Sequence, residues 1–124
     1  MKSITSGGYW YRGNTHTHAE SYSKATIAGW YQTEGYDFLS ITDHEEEVNQ
    51  QTFCPNSLST PTFLMICGVE LSWGSHTTAL GINQYITSET DLLQDSVTSI
   101  INAGGIPFLN HPQDSDGSAI SAST

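Results

Sequence analysis

Basic side chains are nearly missing from this chain: 3 Lys and Arg stand against 13 Asp and Glu in 124 residues, a formal net charge of −10. So acidic a surface repels phosphate backbones and anionic headgroups, which excludes nucleic-acid or membrane binding through a basic patch. An anionic substrate is compatible only where divalent cations dominate the local field. Long apolar runs are absent as well. No stretch approaches the roughly 20 residues that span a bilayer, and the first residues show no apolar run of the signal-peptide kind. Cysteine is limited to Cys54 and Cys67, too few for a disulfide framework. Cys67 closes the apolar run Phe63-Leu64-Met65-Ile66, so a buried free thiol is expected there rather than a Cys54–Cys67 bridge. Scarce lysine beside abundant Ser and Thr leans toward an extracellular or high-salt setting.

Familiar catalytic signatures are missing too. His44-Glu45-Glu46-Glu47-Val48 lacks the second histidine of a His-Glu-x-x-His zinc helix, and there is no phosphate-binding glycine loop, dinucleotide fingerprint or Gly-x-Ser-x-Gly elbow. The length suits one domain and is small for a closed α/β barrel. Residues 1–114 are expected to form that domain, and the Ser/Ala/Gly-rich residues 115–124 a flexible tail or linker.

Apolar runs alternate with helix-like segments. Tyr9-Trp10-Tyr11, Tyr36 to Thr42, Phe63 to Val69, Thr77 to Ile82 and Ile106 to Leu109 read as strands. Ala25 to Glu34, with Ile27, Trp30 and Tyr31 at helical spacing, reads as a helix closed by Gly35. Asp91 to Ala103 is the clearest helix, with Leu92, Leu93, Val97, Ile100 and Ile101 on one face; Ser88 or Thr90 could cap its start, and Gly104-Gly105 ends it. Residues 49–61, with Pro55 and Pro61, read as a loop. This alternation predicts an α/β sheet with mostly parallel strands, in which functional residues gather at the carboxyl ends of the strands.

All five histidines lie in short polar motifs: His16 and His18 in Asn14-Thr15-His16-Thr17-His18, His44 in Thr42-Asp43-His44 and His111 in Asn110-His111-Pro112 at such ends, and His76 opening a strand after the turn Trp73-Gly74-Ser75. Imidazole is the commonest protein metal ligand. Two histidines two apart on an extended segment point to the same face and can chelate one ion. Glu70 follows an apolar strand and a glycine, where a carboxylate needs a cationic partner; its two oxygens can bridge two ions. Asp43 can coordinate, orient an imidazole, or cap the turn that follows. Glu45, Glu46 and Glu47 read as a solvated face. Arg12 could contact a phosphate.

The ordered set His16-Thr17-His18, Thr42-Asp43-His44, Gly68-Val69-Glu70, His76 and His111-Pro112 resembles the polymerase and histidinol phosphatase (PHP) superfamily. Trp10 to Asn14 and Gly35 to His44 look especially like its CehA/McbA-type metallohydrolase branch. Over residues 9–112 the resemblance implies a partial or distorted PHP-type β/α barrel, residues 1–114 being the N-terminal part of the family fold. It implies a cluster of two or three Zn, Mn or Fe ions and hydrolysis of phosphate mono- or diesters. His16, His18, His44, Glu70, His76 and His111 would be the ligands, Glu70 bridging, with Asp43 and Arg12 in supporting catalytic roles and a small phosphorylated substrate. Two departures stand out. Ala19 to Lys24 replaces a further ligand or Ser-Asp-Gly turn, and no Asp-x-His pair follows His111-Pro112, since Asp114 and Asp116 lack a histidine. The alternative is a non-catalytic metal-binding or assembly module, self-associating or completed by a downstream domain.

Overall fold

A computed structural model describes residues 2–3 and 8–112; the tail expected over 115–124, with Asp114 and Asp116, lies outside them. Short strands β1 (Lys2–Ser3) and β2 (Tyr9–Trp10) pair antiparallel. Strands β3 (Gly13–Asn14), β4 (Phe38–Ser40) and β5 (Leu64–Ile66) then form a parallel sheet in that order. Helix α1 (Lys24–Thr33) makes the crossover from β3 to β4. Ser23 caps it, accepting the Thr26 N–H at 3.1 Å, and Gly35 turns the chain out at φ 74°, a region glycine enters without a Cβ clash. Ile27 and Ala28 carry the buried face, packing with Leu39, Ile41, Phe63 and Met65. Trp30, expected on that face, is exposed and stacks edge-on against Tyr22.

A second sheet follows, made of β6 (Gly68–Leu71), β7 (Thr77–Leu80) and β8 (Ile106–Leu109), antiparallel throughout. Helix α2 (Leu93–Asn102) precedes β8 and buries Ser96 and Ile100 against Val69, Leu71, Ala79 and Ile82. The fold is therefore mixed α/β, and the expectation of mostly parallel strands is corrected. Only residues 72–76 join β6 to β7, far short of the dozen or so a parallel crossover needs. Leu92 and Ile101 lie outside the buried stripe and are exposed. Neither Ser88 nor Thr90 caps α2: Leu92 holds the cap position without a side-chain bond, while Thr90 Oγ1 accepts the Leu92 N–H and donates to Asp95.

Three further expectations change. The run Phe63 to Val69 is two strands in two sheets, because the chain steps sideways at Gly68. A Cβ there would meet Ser40 Oγ at 2.6 Å and Thr42 Cγ2 at 2.9 Å, so only glycine lets the backbone pass so close. Cys54 and Cys67 are joined in a disulfide, Cα to Cα 4.3 Å; both pack beside the second core cluster, which brings the thiols together. Glu45 is buried in a 3₁₀ turn over Glu45–Glu47, its carboxylate accepting the Ser72 N–H at 2.9 Å, the Ser88 hydroxyl at 2.7 Å and the Ser88 N–H. These donors replace the water that Glu46 and Glu47 keep.

The two sheets meet through one parallel bridge, His44 to Glu70, with the Glu70 N–H donating to the Asp43 carbonyl at 3.1 Å. Thr42 N–H in turn reaches the Thr17 carbonyl at 2.8 Å. The segments that follow β3 and β4 are thereby laid beside β6.

Candidate metal centre

This lateral alignment brings the five imidazoles to one carboxylate. Glu70 sits in β6, 1% exposed. Its Oε2 lies 3.0 Å from His18 Nε2, 3.7 Å from His44 Nε2 and 3.8 Å from His16 Nε2. Its Oε1 lies 3.2 Å from His76 Nδ1 and 3.5 Å from His111 Nε2. The rings form an arc, with successive centroids 5.0, 4.8, 5.5 and 5.0 Å apart from His16 through His18, His44 and His76 to His111. The six residues expected as ligands are thus brought together, Glu70 at the centre and the five histidines around it.

Several of these groups are held by neighbours that the sequence reading passed over. His16 Nδ1 is 2.9 Å from Thr42 Oγ1 and 3.1 Å from Thr78 Oγ1, leaving Nε2 turned to Glu70. His44 Nδ1 is 2.6 Å from Ser72 Oγ, whose own hydroxyl donates to the Glu70 carbonyl. Ser72 thus accepts the imidazole N–H, which puts the His44 lone pair on Nε2. Asn110 is buried and donates from Nδ2 to Glu70 Oε1 at 2.8 Å and to Thr78 Oγ1 at 2.9 Å. A signal for two of them was legible. Ser72 is two residues from Glu70 and Thr78 two from His76, the spacing that brings side chains to one side of an extended segment.

The electrostatics follow from this crowding. Burial pushes the Glu70 carboxyl up, but hydrogen bonds from His18 and Asn110, with His16 and His44 close by, outweigh it and bring it down to about 2. The hydrogen bond to Glu70 raises His18 against the opposing effect of burial. Burial lowers His16, more than Glu70 can restore. A neutral imidazole offers one nitrogen lone pair to a metal.

Those lone pairs fit a divalent ion. Donor atoms of His16, His18 and Glu70 lie within 4.8 Å of one another, as do those of His44, Glu70 and His76, so two such groups share Glu70. The buried Nδ1 of His18 finds no hydrogen-bond partner among the described residues, and that of His76, though 3.2 Å from Glu70 Oε1, makes no hydrogen bond, an expense that buried polar atoms seldom bear. A mixed imidazole and carboxylate set suits a first-row divalent ion.

Two expected contributors sit elsewhere in the network. Asp43 is buried, with Oδ1 accepting the Ala19 N–H at 2.6 Å and Oδ2 paired with Lys24 Nζ at 3.0 Å. It therefore ties the His18 loop to the His44 loop and caps no turn. Arg12 precedes β3, whereas the histidines follow it. Its Nη1 donates to the Glu34 carbonyl at 2.7 Å and its guanidinium stacks on Tyr36, 4.1 Å from the ring centre. That places the cation at the carboxyl end of α1, not at Glu70. Glu20 and Glu47, unremarked as donors in the sequence, complete groups with His18 and His44 and with His18 and Asp43.

No family model matches the chain, and no curated protein matches it in sequence.

Proposed function

We propose that this protein is a metal-dependent hydrolase of phosphate mono- or diesters, of the type implied by its resemblance to the PHP superfamily. One observation carries the metal half of this reading: the two oxygens of Glu70 face two different sets of imidazoles, His16, His18 and His44 on one side and His76 and His111 on the other. A carboxylate so divided suits a bridge between divalent ions. Ions held there would supply Lewis acidity, acidifying a water and neutralising the phosphoryl oxygens.

The chain's own residues supply position. Thr42, Thr78 and Ser72 hold His16 and His44 with Nε2 toward the centre, and Asn110 fixes the plane of Glu70. Asp43 anchors the two histidine loops against each other. Arg12 is left out of the reaction, since its guanidinium is engaged at α1. The phosphate ester as substrate rests on the resemblance, and the metals would have to offset the acidic surface. Metal-replete protein should hydrolyse members of a phosphomonoester and diester panel and stop on chelation. Occupied metal sites with no turnover on any of them would end the catalytic reading.

A second reading, a metal-binding assembly module, draws on strand β8. It is the outer strand of its sheet, and Ile106, Phe108 and Leu109 along it are exposed at 61%, 45% and 42%. Exposed apolar edges pair with something. Light scattering separates the readings: an active monomer argues against assembly as the role.

A further inference from the structure

Lys24 stands where a helix least favours a cation. It is the first residue of α1, at the positive end of the helix dipole, a place for Asp or Glu. A local choice that opposes its own secondary structure points to a use elsewhere. The use is visible. The Lys24 ammonium lies 3.0 Å from Asp43 Oδ2 and donates to the Thr52 carbonyl at 2.9 Å, with its side chain only 20% exposed. Asp43 belongs in turn to a trio with His18 and Glu47 whose donor atoms lie within 4.8 Å of one another. The pair lies in the wall of a cleft of about 490 Å³ that also presents Glu20, Tyr22 and Glu47, so ions in solution can reach it.

We propose that the Lys24 ammonium is a resident cation standing in place of a further divalent ion at Asp43 and Glu47, beside His18. The centre would then hold two exchangeable ions, both on Glu70, and no third. This rests on the metal-centre reading above and adds the count. The charges argue for it. Asp43 Oδ1 accepts the Ala19 N–H and Oδ2 is paired with the ammonium, so the carboxylate charge is already matched and a dication there would meet the ammonium at close range. The substitution has a structural effect. An ammonium on a covalent tether does not dissociate, so the joint between the His18 and His44 loops persists at any metal concentration.

The test is metal stoichiometry, read by elemental mass spectrometry after loading with Mn(II) and desalting, on the wild type, Lys24→Met, Lys24→Arg and the double variant Lys24→Met/Glu47→Gln. The proposal expects two ions in the wild type and Lys24→Arg, three in Lys24→Met, and two again in the double variant. Lys24→Met remaining at two ions would overturn it while leaving the metal centre intact. Fewer than two in the wild type would instead contradict the metal-centre reading itself. Should Lys24→Met not fold, an anomalous-scattering map of the Mn-loaded wild type decides: no peak beside Asp43 and Glu47 supports the proposal, and a peak there overturns it.

Discussion

Asn110 Nδ2 donates a 2.8 Å hydrogen bond to Glu70 Oε1, and that one bond sets the plane of the carboxylate around which five imidazoles gather. Asn110 also contacts Thr78, which contacts His16, so one amide connects the carboxylate to a histidine of the cluster. Replacing it with alanine removes the orienting bond and leaves every proposed ligand in place. Losses of this kind typically cost about 10–100-fold in metal affinity. Competition against a chelator should show a loss of that size in Asn110→Ala, with little change in the melting of the metal-free protein. An unchanged affinity would mean that the bond does not orient Glu70.

The metal-free protein should show an acid-side and a base-side dependence with opposite origins. Glu70 titrates at about 2 in the fold against 4.5 unfolded; its contribution is present above 4.5 and lost as pH falls toward 2. His18 is raised above 6.5, so its contribution is complete below 6.5 and lost as pH rises through the raised value. His16, lowered by burial, works against stability as pH falls below 6.5, an effect of the opposite sign to that of His18. The gap in Tm between metal-free wild type and His18→Gln should therefore be widest between pH 4.5 and 6.5. A gap that does not vary with pH would refute the His18–Glu70 pairing.

Two glycines should respond oppositely to alanine. At Gly68 the added Cβ meets Ser40, Thr42 and the Ala79 carbonyl at 2.6 to 3.0 Å, an overpacking that costs about 1–3 kcal/mol. Because Thr42 also holds His16, metal affinity should fall with it. Gly29, inside α1, has nothing within 4 Å of the same position, and alanine there should stabilise by up to about 1 kcal/mol. Urea unfolding of the two variants checks both signs, and a stable Gly68→Ala would contradict the close approach of the sheets.

Reducing the Cys54–Cys67 bridge should lower stability by about 3 kcal/mol, the chain-entropy value for a loop near its 13-residue separation. Scanning calorimetry with and without reductant measures this. Equal melting temperatures would show that the bridge constrains little in the unfolded chain.

The six residues that gather at Glu70 were legible in the sequence because each sits beside a short apolar run, and strand ends in α/β folds collect polar groups. The two helices were legible for the same reason, from the spacing of Ile27 and Ile100 with their neighbours. What escaped was set by tertiary contact. The break at Gly68 depends on Ser40 and Thr42, which no local pattern reveals, and without it β6 could not leave the parallel sheet. The bridge between Cys54 and Cys67 depends on a loop folding back over the second core. Arg12 looked like a phosphate contact only because it is near the histidines in sequence; the strand between them carries it to the other end of the sheet. Glu45 read as solvated because its donors, Ser72 and Ser88, lie 27 and 43 residues away.

The central claim is that Glu70 is shared by two divalent ions. Crystals of Mn- or Zn-loaded protein, with anomalous data collected at the metal edge, test it most directly. The account predicts two peaks, one on each carboxylate oxygen at roughly 2.0–2.2 Å, flanked by His16 and His18 on one side and His76 on the other. A metal-loaded structure with no ion coordinated by Glu70, its oxygens hydrogen-bonded to imidazoles alone, would contradict it.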